Sequence, residues 1–273
     1  MMNGWNAMTF EGRDNMLRVV RQEADRFFEM ASSPEAWERQ TACADWQVRD
    51  LVGHLVDTTE SYFVAFEAAR NKGEVDPAYG LPGMAARAGS QATALRTIPQ
   101  ANLVDRARTD FAKMYDILQG LGPEEWTGLT VSHFYMGPLP AFFYPAFQLM
   151  DYGVHSWDIR EGAGLTHALS GEVADLLVPF MFVIWQATAL TGPDTESAEI
   201  GIRILGGANA GDTRIQVSPN GLTYEPGEVK DLPTVIEFDP ASFVLTVFGR
   251  YNAGTVRGDT AAAQRFLNLF FRI

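Results

Sequence analysis

Leu149-Met150-Asp151-Tyr152-Gly153-Val154-His155-Ser156-Trp157-Asp158-Ile159-Arg160 sets a carboxylate and an imidazole four residues apart, at Asp151 and His155. On an α-helix that spacing puts both side chains on one face, with about 5–6 Å between their Cβ atoms. Two such groups can close on one divalent ion. Phe142, Phe143, Phe147, Met150, Val154 and Trp157 make the rest of the helix a core element. A line of polar residues, Gln148, Asp151, His155 and Asp158, then runs along a mostly apolar helix, and polar groups on a buried face need partners. A metal is one such partner. A salt bridge between Asp151 and His155 at a helix surface is the plainer one, and the pair by itself favours it.

A second stretch lies upstream, Thr41-Ala42-Cys43-Ala44-Asp45-Trp46-Gln47-Val48-Arg49-Asp50-Leu51-Val52-Gly53-His54-Leu55. Val48, Val52, Leu55, Thr59, Tyr62, Phe63 and Phe66 recur at helical spacing and mark a buried stripe. His54 sits at the edge of that stripe beside Gly53, a residue that lets another helix approach closely. Two His and one Asp would form a metal site with open positions; taken alone, His54 reads as a core histidine with its hydrogen bonds satisfied.

The run T-x-C-x-x-W-x-V-R-D-L-x-x-H-L, followed about a hundred residues later by D-x-x-V-H-x-W-D-I-R, is similar to the mycothiol-dependent maleylpyruvate isomerase family. That family belongs to the metal-binding DinB/YfiT-like four-helix-bundle superfamily. The resemblance implies that His54, Asp151 and His155 are metal ligands and that mycothiol is a co-substrate. The isomerase itself is expected to carry Glu where this chain has Asp151, which is one methylene shorter and still able to bind a metal.

The 273 residues, 47% hydrophobic and 20% charged, suit a soluble globular protein of one large or two smaller domains. A formal net charge of −13 argues against nucleic acid and anionic membrane surfaces as partners. One cysteine excludes an intramolecular disulfide framework and suits a reducing cytoplasm. Met1 to Phe10 lacks a basic start followed by an apolar run, so no signal peptide is expected. The most apolar stretch, Leu176 to Leu190, is shorter than the ~20 residues that span a bilayer and reads as a buried helix.

Taken in order, residues 13–31 form an amphipathic helix with Asp14 as its cap, and Asp45 caps a second helix running to about Arg70. Cys43, just before it, reads as a small buried hydrophobe. Residues 71–84 form a Gly- and Pro-rich loop, with a short helix from 85 and a longer one at about 101–121. Residues 127–138 are extended, and His133 within them could approach the site but reads as a solvated loop histidine rather than a ligand. The helix of Asp151 and His155 ends near Gly162, and a fifth helix follows at about 171–190. The period then changes to alternation at Ile200–Leu205, Thr213–Val217 and Thr234–Phe238, with Asn220-Gly221 as a hairpin turn. A helix near 240–249, a strand at 254–257 and a last helix from about 260 complete the chain. This places a DinB-like up-down four-helix bundle over 1–192 and an α+β domain over 193–273; the latter resembles the family's sterol-carrier-protein-like domain.

No G-x-G-x-x-G, P-loop, G-x-S-x-G or C-x-x-C occurs, which leaves the metal site as the chemical candidate. Two imidazoles and a carboxylate suit Zn²⁺, and also Ni²⁺, Fe²⁺ or Mn²⁺. The resemblance implies an isomerase or S-transferase acting on a small electrophile, in a monomer or homodimer. A hydrolase, or a metal-binding protein with a non-catalytic small-ligand role, is the alternative. Arg250 is a candidate for a substrate carboxylate. Asp158 and Arg160 either support His155 from behind or make a bundle salt bridge.

Overall fold

The computed structural model describes residues 3–43, 45–74, 76–165 and 168–272; Ala44 of the connector and Val75 of the loop lie outside the described residues. The chain divides into two compact units, with the break between Leu169 and Ser170. The helical unit holds α1 (Arg13–Ala31), α2 (Val48–Asn71), α3 (Gly80–Ala94), α4 (Gln100–Gln119), α5 (Pro123–Gly128), β1 (Thr130–His133), β2 (Gly137–Pro140) and α6 (Phe143–Gly162). The second unit holds α7 (Gly171–Thr188), β3 (Ala198–Ile204), β4 (Gly211–Ser218), β5 (Gly221–Pro226), β6 (Thr234–Phe238), α8 (Pro240–Val247), β7 (Thr255–Gly258) and α9 (Thr260–Leu267).

In the helical unit α1, α2, α4 and α6 form the bundle, and α3 packs on α2. Every residue of α6 from Phe143 to Ile159 is buried except Asp151, which is partly exposed. A helix buried on nearly all sides belongs at the centre of a bundle. Tyr152 meets Phe27, Phe28 and Phe111 edge to face, at centroid distances of 5.7, 5.5 and 5.2 Å, the geometry aromatic quadrupoles favour. Gly53 lets α3 in: a Cβ there would lie 2.6 Å from the Ala92 carbonyl oxygen.

Several local details differ from the sequence reading. Helix α2 starts at Val48, where the Asp50 carboxylate accepts from the Gln47 backbone N–H at 2.8 Å. Asp45 instead adopts φ 66° in the turn before it. Gly12, not Asp14, is the N-cap of α1; Asp14 lies in the first turn, where a negative charge suits the helix dipole. The expected loop ends early, because α3 already begins at Gly80. The extended segment is a hairpin in which His133 pairs with Gly137. His133 is buried, against the expectation of a solvated loop residue.

The five-stranded sheet of the second unit has the order β5-β4-β3-β6-β7, with β3 and β6 parallel and the other neighbours antiparallel. The β4–β5 register pairs Ser218 with Gly221, so the turn is centred on Pro219-Asn220, one residue earlier than expected, and Gly221 takes φ 131°. Helix α7 packs here: Phe182 stacks on Tyr224, and Trp185 meets Phe238, Phe243, Phe266 and Phe270. The change of period near residue 192 had put this helix with the bundle. By length and composition α7 could cross a membrane, and 67% of it is buried inside the structure. Asp239 caps α8 through the Ala241 and Ser242 N–H groups.

Candidate metal centre

Helices α2 and α6 bring His54, Asp151 and His155 together: one ligand atom from each lies within 4.8 Å of the others. His54 Nε2 stands 3.6 Å from Asp151 Oδ1, and the two imidazole rings are nearly perpendicular at 5.3 Å. Trp46 lies 5.1 Å from the His54 ring and 6.2 Å from the His155 ring. The connector that carries Trp46 is tied to α6 by the Ala42 N–H donating to the Asp158 carbonyl at 3.0 Å. It runs so close that a Cβ on Gly162 would lie 2.3 Å from the Gln40 carbonyl oxygen.

Asp158 is fully buried, and its Oδ2 lies 2.9 Å from His155 Nδ1. A proton on Nδ1 facing that carboxylate leaves Nε2 with a lone pair, the tautomer a metal requires. Burial lowers the His155 pKa, and the hydrogen bond to Asp158 works against that shift. Asp151 Oδ2 is buried without a hydrogen-bond partner. An unmet buried carboxylate oxygen is costly, and a cation between Asp151 and the two imidazoles would satisfy it. The donor set of two nitrogens and one oxygen therefore fits a divalent ion.

Cys43 was expected to be a small buried hydrophobe. It is half-buried, and it forms a second group with His155 and Asp158 whose ligand atoms also lie within 4.8 Å of one another. Arg160 points its electrostatics elsewhere: Glu23 of α1 favours its charge while burial lowers its pKa. Arg250 belongs to the second unit, where its Nη1 donates to the Phe248 carbonyl at 3.0 Å.

Next to His54, Asp151 and His155 stands a row of buried polar groups of which the sequence singles out only Gln148 and His133. Tyr62, which periodicity assigns to the buried stripe of α2, and Tyr144 accompany them between α2, α6 and the hairpin. Tyr62 and Tyr144 meet edge to face at 4.9 Å, and the His133 ring lies 5.8 and 6.3 Å from them. Tyr144, Gln148, Asp151 and His155 follow the i, i+4, i+7, i+11 pattern of one helix face, a signal that was available.

No curated protein matches the chain significantly. Among solved structures, the crystal structure of the mycothiol-dependent maleylpyruvate isomerase matches with a TM-score of 0.58 and 13% identity, over 92% of this chain and 97% of that one. A histidine-to-alanine mutant of that isomerase matches equally. The colibactin self-resistance protein ClbS in complex with a dsDNA matches with a TM-score of 0.48 and 10% identity, over 57% of this chain and 97% of that one. The mycothiol maleylpyruvate isomerase N-terminal domain family matches residues 17–160, more than half of the chain and inclusive of both motifs, and the chain belongs to that family.

Proposed function

We propose that this protein is a metal-dependent enzyme that uses the low-molecular-weight thiol mycothiol to isomerise, or to transfer sulfur to, a small electrophilic substrate. His54, Asp151 and His155 hold one divalent ion, with Zn²⁺ the best fit to the donor set. The observation that carries the reading is the unmet Asp151 Oδ2 beside two imidazoles, in a chain of the mycothiol isomerase family. Three protein donors leave coordination positions for a ligand.

The chain's own residues perform the positioning. Asp158 holds His155 in one tautomer and orientation. Trp46 lies against both imidazoles, and an apolar ring there lowers the local dielectric, which strengthens electrostatic interactions within the site. When bound, the ion supplies positive charge that favours thiolate over thiol. The thiolate sulfur adds to one carbon of a double bond conjugated to a carbonyl, and the π pair moves onto that carbonyl as an enolate. In the isomerase the enolate collapses after rotation about the former double bond and expels the thiolate; in the transferase the sulfur stays and the enolate takes up a proton.

Titration of the Co²⁺-substituted protein with mycothiol tests this reading. A sulfur-to-cobalt charge-transfer band is expected, and it should be lost in His54→Ala. Absence of the band from fully loaded wild type would overturn the thiol chemistry.

A further inference from the structure

Three fully buried groups in the helical unit have hydrogen-bonding capacity that no described residue meets. Tyr144 Oη and Gln148 Oε1 are buried without any partner. Gln148 Nε2 donates to Thr59 Oγ1 at 3.4 Å, so the amide is oriented with its carbonyl oxygen left over. The third is Tyr62. His133 Nδ1 accepts from the Tyr135 and Met136 backbone N–H groups at 3.3 and 3.2 Å. A neutral His133 therefore carries its proton on Nε2, which lies 3.4 Å from Tyr62 Oη. Tyr62 Oη accepts that proton, and its own O–H is turned away from His133 and has no described acceptor. Buried polar groups in native proteins are paired, so each exception calls for a reason.

Tyr144 and Gln148 share the face of α6 that carries Asp151 and His155, and Tyr62 of α2 lies against it, its ring 4.9 Å from that of Tyr144. Along the helix axis Gln148 lies ~4.5 Å and Tyr144 ~10 Å from the Asp151 level. The row offers two phenol donors and one amide acceptor. No Lys or Arg is among the buried residues described. Arg87, over the Phe134 ring at 5.3 Å, is held by a bidentate pair with Asp57. A carboxylate entering the row would meet no buried Lys or Arg, and would lie close to Asp151, whose charge already partly neutralises the bound ion.

We propose that Tyr62, Tyr144 and Gln148 form a recognition subsite for a neutral group that both accepts and donates hydrogen bonds, an amide or a hydroxyl, on the ligand of the metal centre. The ligand oxygen accepts from the phenol hydroxyls, and its N–H or O–H donates to Gln148 Oε1. This rests on the metal-centre reading above and adds the chemistry of the ligand's far end.

The test uses the full chain loaded with Co²⁺ and two sets of probes. Acetamide and acetate are titrated while the tyrosine ¹³Cζ resonances are followed. Acetamide should give a saturable shift of the Tyr62 and Tyr144 signals and acetate should not. Tyr144→Phe, or Gln148→Leu should that variant fold better, should weaken acetamide by about 5- to 10-fold, the worth of one hydrogen bond. In the second set, 3-mercaptopropanamide should bind about 5- to 10-fold tighter than butanethiol in wild type, and the two should bind equally in Tyr144→Phe. If acetamide leaves the tyrosines unchanged, or acetate competes equally, the row holds only fixed water and the subsite is wrong, whether or not thiols bind. If acetamide binds as described but no thiol gives a cobalt band, the subsite stands and the thiol chemistry falls.

Discussion

His155 and Asp158 form a buried imidazole–carboxylate pair within one turn of α6, Nδ1 to Oδ2 at 2.9 Å. The consequence is that His155 can present only Nε2 to a ligand. Asp158→Asn removes the charge and keeps the size. It should weaken metal affinity by about 10- to 100-fold, the usual cost of losing such a partner, with the far-UV circular dichroism unchanged. Competition with a chelator of known affinity measures it.

The connector that delivers Trp46 is set by Gly162, where an added Cβ would press on the backbone of Gln40 and Thr41. Gly162→Ala should destabilise the protein by about 1–3 kcal/mol, the range for overpacking. Denaturant titration would show the shift in midpoint, and an unchanged midpoint would mean that the connector can move away freely.

Asp110 on α4 has its pKa raised to about 6, first by burial and then by Glu60. Its folded-state value lies above the unfolded value, so the folded protein retains a proton that the unfolded chain releases. Stability therefore falls as pH rises from 3.8 through about 6. Asp110→Asn should raise Tm by roughly 2–4 °C at pH 8 and give no gain below the unfolded pKa. Thermal melts of both proteins across that range check the sign.

Burial lowers the His133 pKa to about 4, from 6.5. The folded value lies below the unfolded one, so the stabilising contribution is present above 6.5 and is lost as pH falls through about 4. NMR should show a neutral Nε2–H tautomer at neutral pH and a ring titration midpoint near 4. A midpoint near the ordinary histidine value would contradict the buried hairpin environment.

Local spacing put Asp151 and His155 on one helix face and His54 at the edge of an apolar stripe, but each by itself read as a salt bridge or a core histidine; it was the resemblance of the two motifs that joined the three as candidate ligands. His133 was not legible: its burial depends on the hairpin folding over Tyr62 and Phe147, a tertiary fact with no periodicity. Helix α7 is legible, but a mostly apolar helix does not say which neighbours cover it, so the packing of its Trp185 against Phe238, Phe243, Phe266 and Phe270 is not. Cys43 meets His155 and Asp158 only because Gly162 lets the connector pass. The start of α3 was hidden by Gly80, Pro82 and Gly83, residues that punctuate loops more often than they begin helices.

The central claim is that His54, Asp151 and His155 hold one ion together. Elemental analysis of the purified protein tests it most directly, with wild type, His54→Ala and His155→Ala prepared side by side. About one divalent ion per chain is predicted for wild type, as a three-donor site requires, with both variants losing it while remaining folded. Equal metal content in all three proteins, or none in wild type after incubation with Zn²⁺, Ni²⁺, Fe²⁺ and Mn²⁺ in turn, would contradict the account.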